Sequence, residues 1–487
     1  MATESIDTIA LCGGGLSLWM TAAALSRALP DNVALTIIET TKTPIEDMFY
    51  GHILPPQAYA FHLSIDLSEP ELLLNTGSTF VYGTHFQNWG QTGRSWVQAF
   101  HQPLPVWDGV PLTKLIHQLP HASLQSALIS AQAANGGVFA HPSEDPNHPL
   151  SRAEYGYAID PEQLSALYRA ITLRRSVNVI PAQVAAIERD GSDIRSLKLS
   201  DGRTVSADIF IDCTGPAAKL QSQSNRSTTG TYRSVQAARK KTAGAPLGAA
   251  SLRINSGDYG WRSDVVLRSG AIRMTVSALD VEPNTAGAPN DSVSMDIQCN
   301  DAAWTGNCIA IGQAAYTLEP FTTAPMKLLM RDIERFLNLI PVSTEMAIEA
   351  DEYNRAFRDD YAHASLFNQA HFAMTDLPDA PYWNMASERN DDPKLVRKLT
   401  QYNTRGHLVA YDNEPFDGVD WAILHDGIGR TPRRRDPLAS SVDPAMTQSR
   451  LNELQNTTQA VIKKMPPHPL YMSKFISYLK RKYARNG

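Results

Sequence analysis

Residues 7–39 run as strand, glycine turn, helix and strand, and they stop on an acid. Asp7-Thr8-Ile9-Ala10-Leu11-Cys12 leads into Gly13-Gly14-Gly15, an apolar helix follows, and Val33-Ala34-Leu35-Thr36-Ile37-Ile38 ends at Glu39. Glycines let a backbone turn tightly beside a pyrophosphate. The following helix N-terminus aims unpaired N–H groups and a partial positive charge at it, and an acid at the end of the second strand meets a ribose hydroxyl. The layout predicts a dinucleotide seat of the FAD type at the start of an α/β fold. It departs from Gly-x-Gly-x-x-Gly at the third glycine, which is Leu18. On this segment alone an ordinary βαβ unit with a tight turn stays open.

A chain of 487 residues, 43% hydrophobic, is long enough for two or three modules. Lys plus Arg at 44 against Asp plus Glu at 50 leaves a net charge of −6, which gives no reason to expect nucleic acid or an anionic membrane as partner. Cys12, Cys213, Cys299 and Cys308 are too few and too scattered for a disulfide framework or a zinc site, so no metal is expected. The apolar stretch from Ile9 to Leu29 is preceded by Glu4 and Asp7 and broken by glycines, unlike a signal peptide, and the expected location is the cytoplasm.

Downstream, Asp160-Pro161 opens a predicted helix to about Arg174, with the acid at the cap and proline at the first helical position. Short strands follow at 177–180, 183–187, 194–199 and 204–205, with Asp201-Gly202 as a hairpin turn, and then a buried strand from Ala207 to Cys213 before Thr214-Gly215.

Gly13-Gly14-Gly15 with Trp19-Met20, Thr76-Gly77-Ser78-Thr79-Phe80 leading to Phe86-Gln87-Asn88-Trp89, Gly156-Tyr157 with Asp160, Asp212-Cys213-Thr214-Gly215, and Trp304 to Gly312 leading to Leu318-Glu319-Pro320 form an ordered set. Tyr353-Asn354-Arg355 and His371-Phe372 continue it. Together, over roughly residues 6–375, the chain resembles the flavin-dependent tryptophan halogenases. The resemblance implies a two-domain FAD-monooxygenase-like α/β fold with an FAD-binding Rossmann-type module (1–45, 151–225 and 300–340). It also implies a substrate module with an inserted mixed sheet (46–150 and 226–299) and a helical C-terminal region (341–487).

It further implies FAD as cofactor, contacted through Gly13, Gly15, Leu16, Glu39, Val184, Asp212, Gly215, Gly312 and Pro320. No second glycine fingerprint for a nicotinamide is present, so reduced FAD is expected from a separate flavin reductase. The family's chemistry makes hypohalous acid from reduced FAD, oxygen and halide. A lysine holds the oxidant, and a glutamate beside the aromatic substrate takes the arene proton. Here the lysine position holds Val81 and the glutamate position Thr322. The following loop reads Thr323-Ala324-Pro325, and Pro325 has no N–H for a halide. Of the Trp-x-Trp-x-Ile-Pro signature only Trp261 stands, with Ser263 and Val266 at the second tryptophan and the proline; Gly-Glu-Ala reads Gly51-His52-Ile53.

A valine cannot replace an ammonium, nor a threonine a carboxylate base. The expected activity is therefore FAD-dependent oxidation or oxygenation of an indole-like aromatic, free or peptide-borne. The alternatives are a halogenase with displaced groups and a non-catalytic flavin- or peptide-binding homologue. Substitutes for the missing groups are Lys327, about one turn from Thr323, the hydroxyls of Thr322 and Thr323, and His52 and His85. Against these stand plain readings: Lys327 as an exposed helix residue and each histidine as structural. The basic helix from Met472 to Arg485, with Phe475, Ile476, Tyr478 and Leu479 on one side, is expected to dock on the body or on a partner. It is too weak an anchor for stable membrane association. A homodimer stays open.

Overall fold

The computed structural model describes residues 5–41, 44–89, 93–221, 233–279, 292–374, 377–388 and 391–484. Its nucleotide-side sheet has six strands in the order Asn178–Pro181, Ala34–Glu39, Thr8–Gly13, Ile209–Cys213, Cys308–Ala310, Trp304–Thr305. The first five run parallel and the last is antiparallel. Parallel strands are covered on both faces and so read as unbroken apolar runs. Ile9 and Leu11 enter the main core beside the helix Gly15–Ala28. Ala10 and Cys12 face a second cluster with Ile38, Phe210 and Leu197, roofed by the meander Val184–Asp190, Asp193–Leu199, Thr204–Val205. Leu18, at the third-glycine position, is fully buried in the main core.

A seven-stranded sheet has the order Ser292–Ile297, Arg233–Ala243, Gly270–Ala278, Gly260–Leu267, Leu252–Gly257, Gly83–Gln87, Ser95–Ala99. All neighbours are antiparallel except Leu252–Gly257 with Gly83–Gln87, where an early stretch of chain joins a later meander. Phe86, Trp89, Trp96, Trp261, Phe321 and Trp383 are buried in the core.

Helices Ala347–Ala370, Pro381–Ser387, Pro393–Arg405, Gly418–Gly427, Pro444–Ile462 and His468–Ala484 complete the chain. Three of them start on aspartate caps, Asp392, Asp417 and Asp443, whose side chains accept backbone N–H groups of the first turn. The terminal helix buries Met472, Ile476 and Leu479 against the body, while Tyr478 is half exposed, contrary to the expected docking face. Among the described residues no helix is long and apolar enough to cross a membrane.

Candidate functional site

Two hollows concentrate the singled-out residues. The first is a cleft of about 260 Å³ lined by the Gly14-Gly15 turn, Trp19, Glu39, Asp47, Glu162 and Arg169, among others. The sharp turn explains the glycines. Gly13 has φ +149°, and a Cβ on it would stand 2.1 Å from the Cys213 carbonyl oxygen; Gly15 has φ +70°, and its Cβ would stand 2.2 Å from Asp47 Oδ2. Glu39 takes a bidentate pair from Arg169, with Nε and Nη2 each donating at 3.1 Å, and the Arg169 guanidinium lies 5.1 Å from the centre of the Trp19 ring. The Ser17 hydroxyl, in the first turn of the helix, is buried and has no hydrogen-bond partner among the described residues.

A turn open to close approach, a helix N-terminus, an orphan hydroxyl and an acid at ribose height suit the adenosine-diphosphate half of FAD. One group already sits there. The Leu16 N–H donates to Asp47 Oδ2 at 3.0 Å, and Asp47 comes from the 3₁₀ segment Pro44–Tyr50, 31 residues along the chain. The same segment holds the Gly312 turn: Gln313 N–H donates to the Tyr50 hydroxyl at 3.0 Å and Gln313 Nε2 to the Glu46 carbonyl at 2.7 Å.

The other expected cofactor contacts are spread out. Gly51 comes near Pro320, with 3.5 Å from a built Cβ to Pro320 Cβ. Val184, partly buried, opens the meander. The Asp212 side chain is used internally. One oxygen accepts from the Thr214 N–H and hydroxyl, at 2.9 and 2.7 Å, and the other from the Leu220 and Gln221 N–H groups, so the carboxylate fixes the turn that contains Gly215.

The second hollow, only about 30 Å³, is lined by Thr84, Phe86, Gln98, Phe100, Phe321, Thr322, Thr323, Lys327, Phe367, Phe416 and Asp420, among others. Thr322 donates its hydroxyl to Asn368 Oδ1 at 2.6 Å and accepts the Ala324 N–H at 3.2 Å, while Asn368 Nδ2 donates to the Glu319 carbonyl at 3.0 Å. Pro325 falls in the first turn of the helix Ala324–Asn338, where its missing N–H costs nothing.

Lys327 lines this hollow and is not the exposed helix residue of the plain reading. Its ammonium donates to the Pro415 carbonyl at 2.9 Å and lies 4.2 Å from the centre of the Phe416 ring. Burial pulls its pKa below the ordinary lysine value, with Asp420 opposing. Val81, by contrast, is fully buried in the strand Thr79–Val81, paired with Gly156.

Neither histidine lines this hollow. His52 is buried, its Nδ1 3.3 Å from the Ile159 carbonyl oxygen, and burial lowers its pKa to about 4. His85 pairs with the Ser95 hydroxyl at 2.6 Å on the sheet edge. For His85 the cause is strand alternation, since the hollow takes Thr84 and Phe86 on either side of it; His52 lies just before the strand Ile53–Leu54 and is held at the Ile159 carbonyl.

Sequence reasoning passed over Glu319 as a polar anchor. It is 1% exposed and accepts from Arg233 Nε at 2.6 Å, Trp261 Nε1 at 2.8 Å and the Tyr382 hydroxyl at 2.5 Å. Its partners lie 86, 58 and 63 residues away, beyond any local spacing signal. His101, Asp417 and Asp420 offer ligand atoms within 4.8 Å of one another. Asp417 and Asp420 form the capping box of Gly418–Gly427 and, against burial, carry His101 up to about 10, so the group is accounted for as a capped ion pair.

The tryptophan halogenase family model matches residues 8–236 and 250–444. Tryptophan 6-halogenase SttH of Streptomyces toxytricini is 21% identical over 97% of this chain and 99% of its own. Among solved structures, the flavin-dependent halogenase BrvH of Brevundimonas sp. BAL3 superposes with a TM-score of 0.86 at 23% identity, covering 96% of this chain and 99% of that one. The flavin-dependent halogenase Xcc4156 of Xanthomonas campestris gives 0.84 at 23% identity, covering 97% and 98%. These likenesses establish the fold, and the family model spans most of the sequence. The chain belongs to the tryptophan halogenase family, whose flavin-dependent members use FAD reduced by a separate reductase.

Proposed function

We propose that this protein is an FAD-dependent oxidoreductase that works with reduced flavin and oxygen on an indole-like aromatic, and that it does not halogenate through the lysine and glutamate positions of its family. Bound reduced FAD would supply the electrons that turn oxygen into an oxidant; a partner flavin reductase would supply the reduced cofactor. The glycine turn and Glu39 would hold the adenosine diphosphate, and the cavity bounded by Phe86, Phe100, Phe321 and Phe416 would take the aromatic ring after widening.

The observation that carries the reading is the state of the two reactive positions. Val81 is an apolar side chain closed in the core, and Thr322 has its hydroxyl proton committed to Asn368. Neither holds an oxidant or accepts an arene proton.

Lys327 favours a second reading, a halogenase with a displaced ammonium, because it is the one lysine lining the cavity. One assay separates the two. Purified protein with FAD, a reductase, oxygen, bromide and a panel of free and peptide-borne indoles is followed by mass spectrometry. Oxygenated product without bromination supports the first reading; bromination lost in Lys327→Met supports the second and overturns the first.

A further inference from the structure

The nucleotide cleft contains its own anion. A helix N-terminus presents N–H groups with no partner inside the helix, and an incoming phosphate or an internal carboxylate satisfies them equally well. The helix Gly15–Ala28 has no acid in its first turn and no side-chain cap at Gly14, yet the Leu16 N–H is bonded to Asp47 Oδ2 at 3.0 Å. That carboxylate is pressed against the bare face of Gly15, the approach that the glycine turn leaves free for a pyrophosphate.

The surroundings fix how such a group is released. Ile45, Met48, Phe49 and Tyr50 are each at most 1% exposed, and Tyr50 and the Glu46 carbonyl are bonded to Gln313, so the segment is locked into the core on both sides of Asp47. Of this segment only Asp47 lines the cleft, so a change confined to its side chain would free the helix terminus. With Asp47 seated, the cleft measures about 260 Å³, below the roughly 300–1,000 Å³ usual for ligand sites.

We propose that Asp47 is an internal stand-in for the cofactor pyrophosphate, which closes the nucleotide seat and must be displaced before a dinucleotide binds. The proposal rests on the reading of this cleft as the FAD site. The competition is between two anions for the same N–H groups, so it lowers affinity for every phosphate-bearing ligand of the cleft. Inorganic pyrophosphate and ADP should compete with Asp47 as FAD does. Displacement leaves the carboxylate beside Glu39, which Arg169 pairs, and Glu162, which Arg239 and Lys241 pair.

The test uses the full chain and reads binding alone. FAD, ADP and inorganic pyrophosphate are titrated by calorimetry, and FAD also by quenching of its own fluorescence, into the wild type, Asp47→Asn and Asp47→Ala. Both variants should bind FAD and ADP at least about tenfold more tightly, because a charge-assisted hydrogen bond no longer has to be broken and a negative charge is gone. Asn retains the shape, so it covers a folding failure of the alanine variant.

On the wild type, hydrogen exchange of the Leu16 amide should change on adding ADP. Equal FAD affinity in wild type and both variants, or an exchange pattern blind to ADP, overturns the stand-in while leaving the FAD site intact. No binding of FAD or ADP to any of the three overturns the FAD site itself, and the stand-in with it.

Discussion

The cleft at the glycine turn and the hollow beside Thr322 are built from different material. The cleft is written mostly in backbone: a turn whose φ angles only glycine adopts easily, a helix terminus, and a strand that ends at the right height. The hollow is written in side chains, with phenylalanine walls, three threonines and one lysine. A site made of backbone survives substitution because the fold maintains it. A site whose chemistry resides in two side-chain tips disappears with two substitutions and leaves the fold untouched. Family membership therefore speaks strongly for the cleft and weakly for the reaction.

The largest effect tests what joins the two regions. Glu319 closes the loop between the Gly312 turn and Thr322, and Arg233, Trp261 and Tyr382 all donate to it. Glu319→Ala strands a buried guanidinium and should lower unfolding free energy by about 3–5 kcal/mol, read from denaturant midpoints. Glu319→Gln retains an acceptor and should cost less. An unchanged midpoint in the alanine variant would mean that the loop is held by its apolar packing alone.

Acid should expose the next effect. Burial lowers the pKa of His52 and His117 to about 4 and that of His371 to about 3. The unfolded chain takes up these protons below about 6.5 whereas the folded chain refuses them, so stability falls as pH drops from 6.5 toward 4. Asp332 works the other way. Burial raises it to about 7, so the folded chain holds a proton that the unfolded chain releases above about 4, and this contribution is lost as pH rises toward 7. The histidine contribution, to which His62 at about 3 adds, is destabilisation by acid, and the carboxyls raised by burial oppose it. Replacing His371 by Gln should reduce the slope of stability against pH by about 1.4 kcal/mol per pH unit in that window. A slope identical to wild type would place a protonated His371 in the native state.

Much of this was legible in the sequence where the signal was local. The strand, turn, helix and strand of residues 7–39 are found as such because period, glycines and terminal acid all lie within one short run. The hairpin at Asp201-Gly202 and the Asp160-Pro161 helix start are local in the same way. Asp47 and the Glu319 network escaped because their partners are distant in sequence. An aspartate 31 residues from a helix start carries no mark of being its cap. Lys327 shows the limit on the chemical side. Helical spacing put it one turn from Thr323, but only the arrival of Pro415 and Phe416 from a remote loop makes it a lining group instead of a surface one.

The smallest effect bears on the one cation of the cleft. Arg169 lies over Trp19 and binds both oxygens of Glu39, but its side chain is 43% exposed, and exposed pairs contribute only about 0–1 kcal/mol. Arg169→Ala should therefore leave unfolding almost unchanged. Its effect should appear in binding, because removing the guanidinium takes away the partner of Glu39 beside Asp47, while Glu162 keeps Arg239 and Lys241. FAD affinity should fall by no more than about fivefold at physiological salt, and its dependence on salt should flatten, since the lost contact is a screened one. Tryptophan emission gives an independent reading through Trp19, which loses the guanidinium from its face. A loss of FAD binding far beyond fivefold would make Arg169 the principal phosphate ligand, and the cleft would then depend on one side-chain tip as the second hollow does.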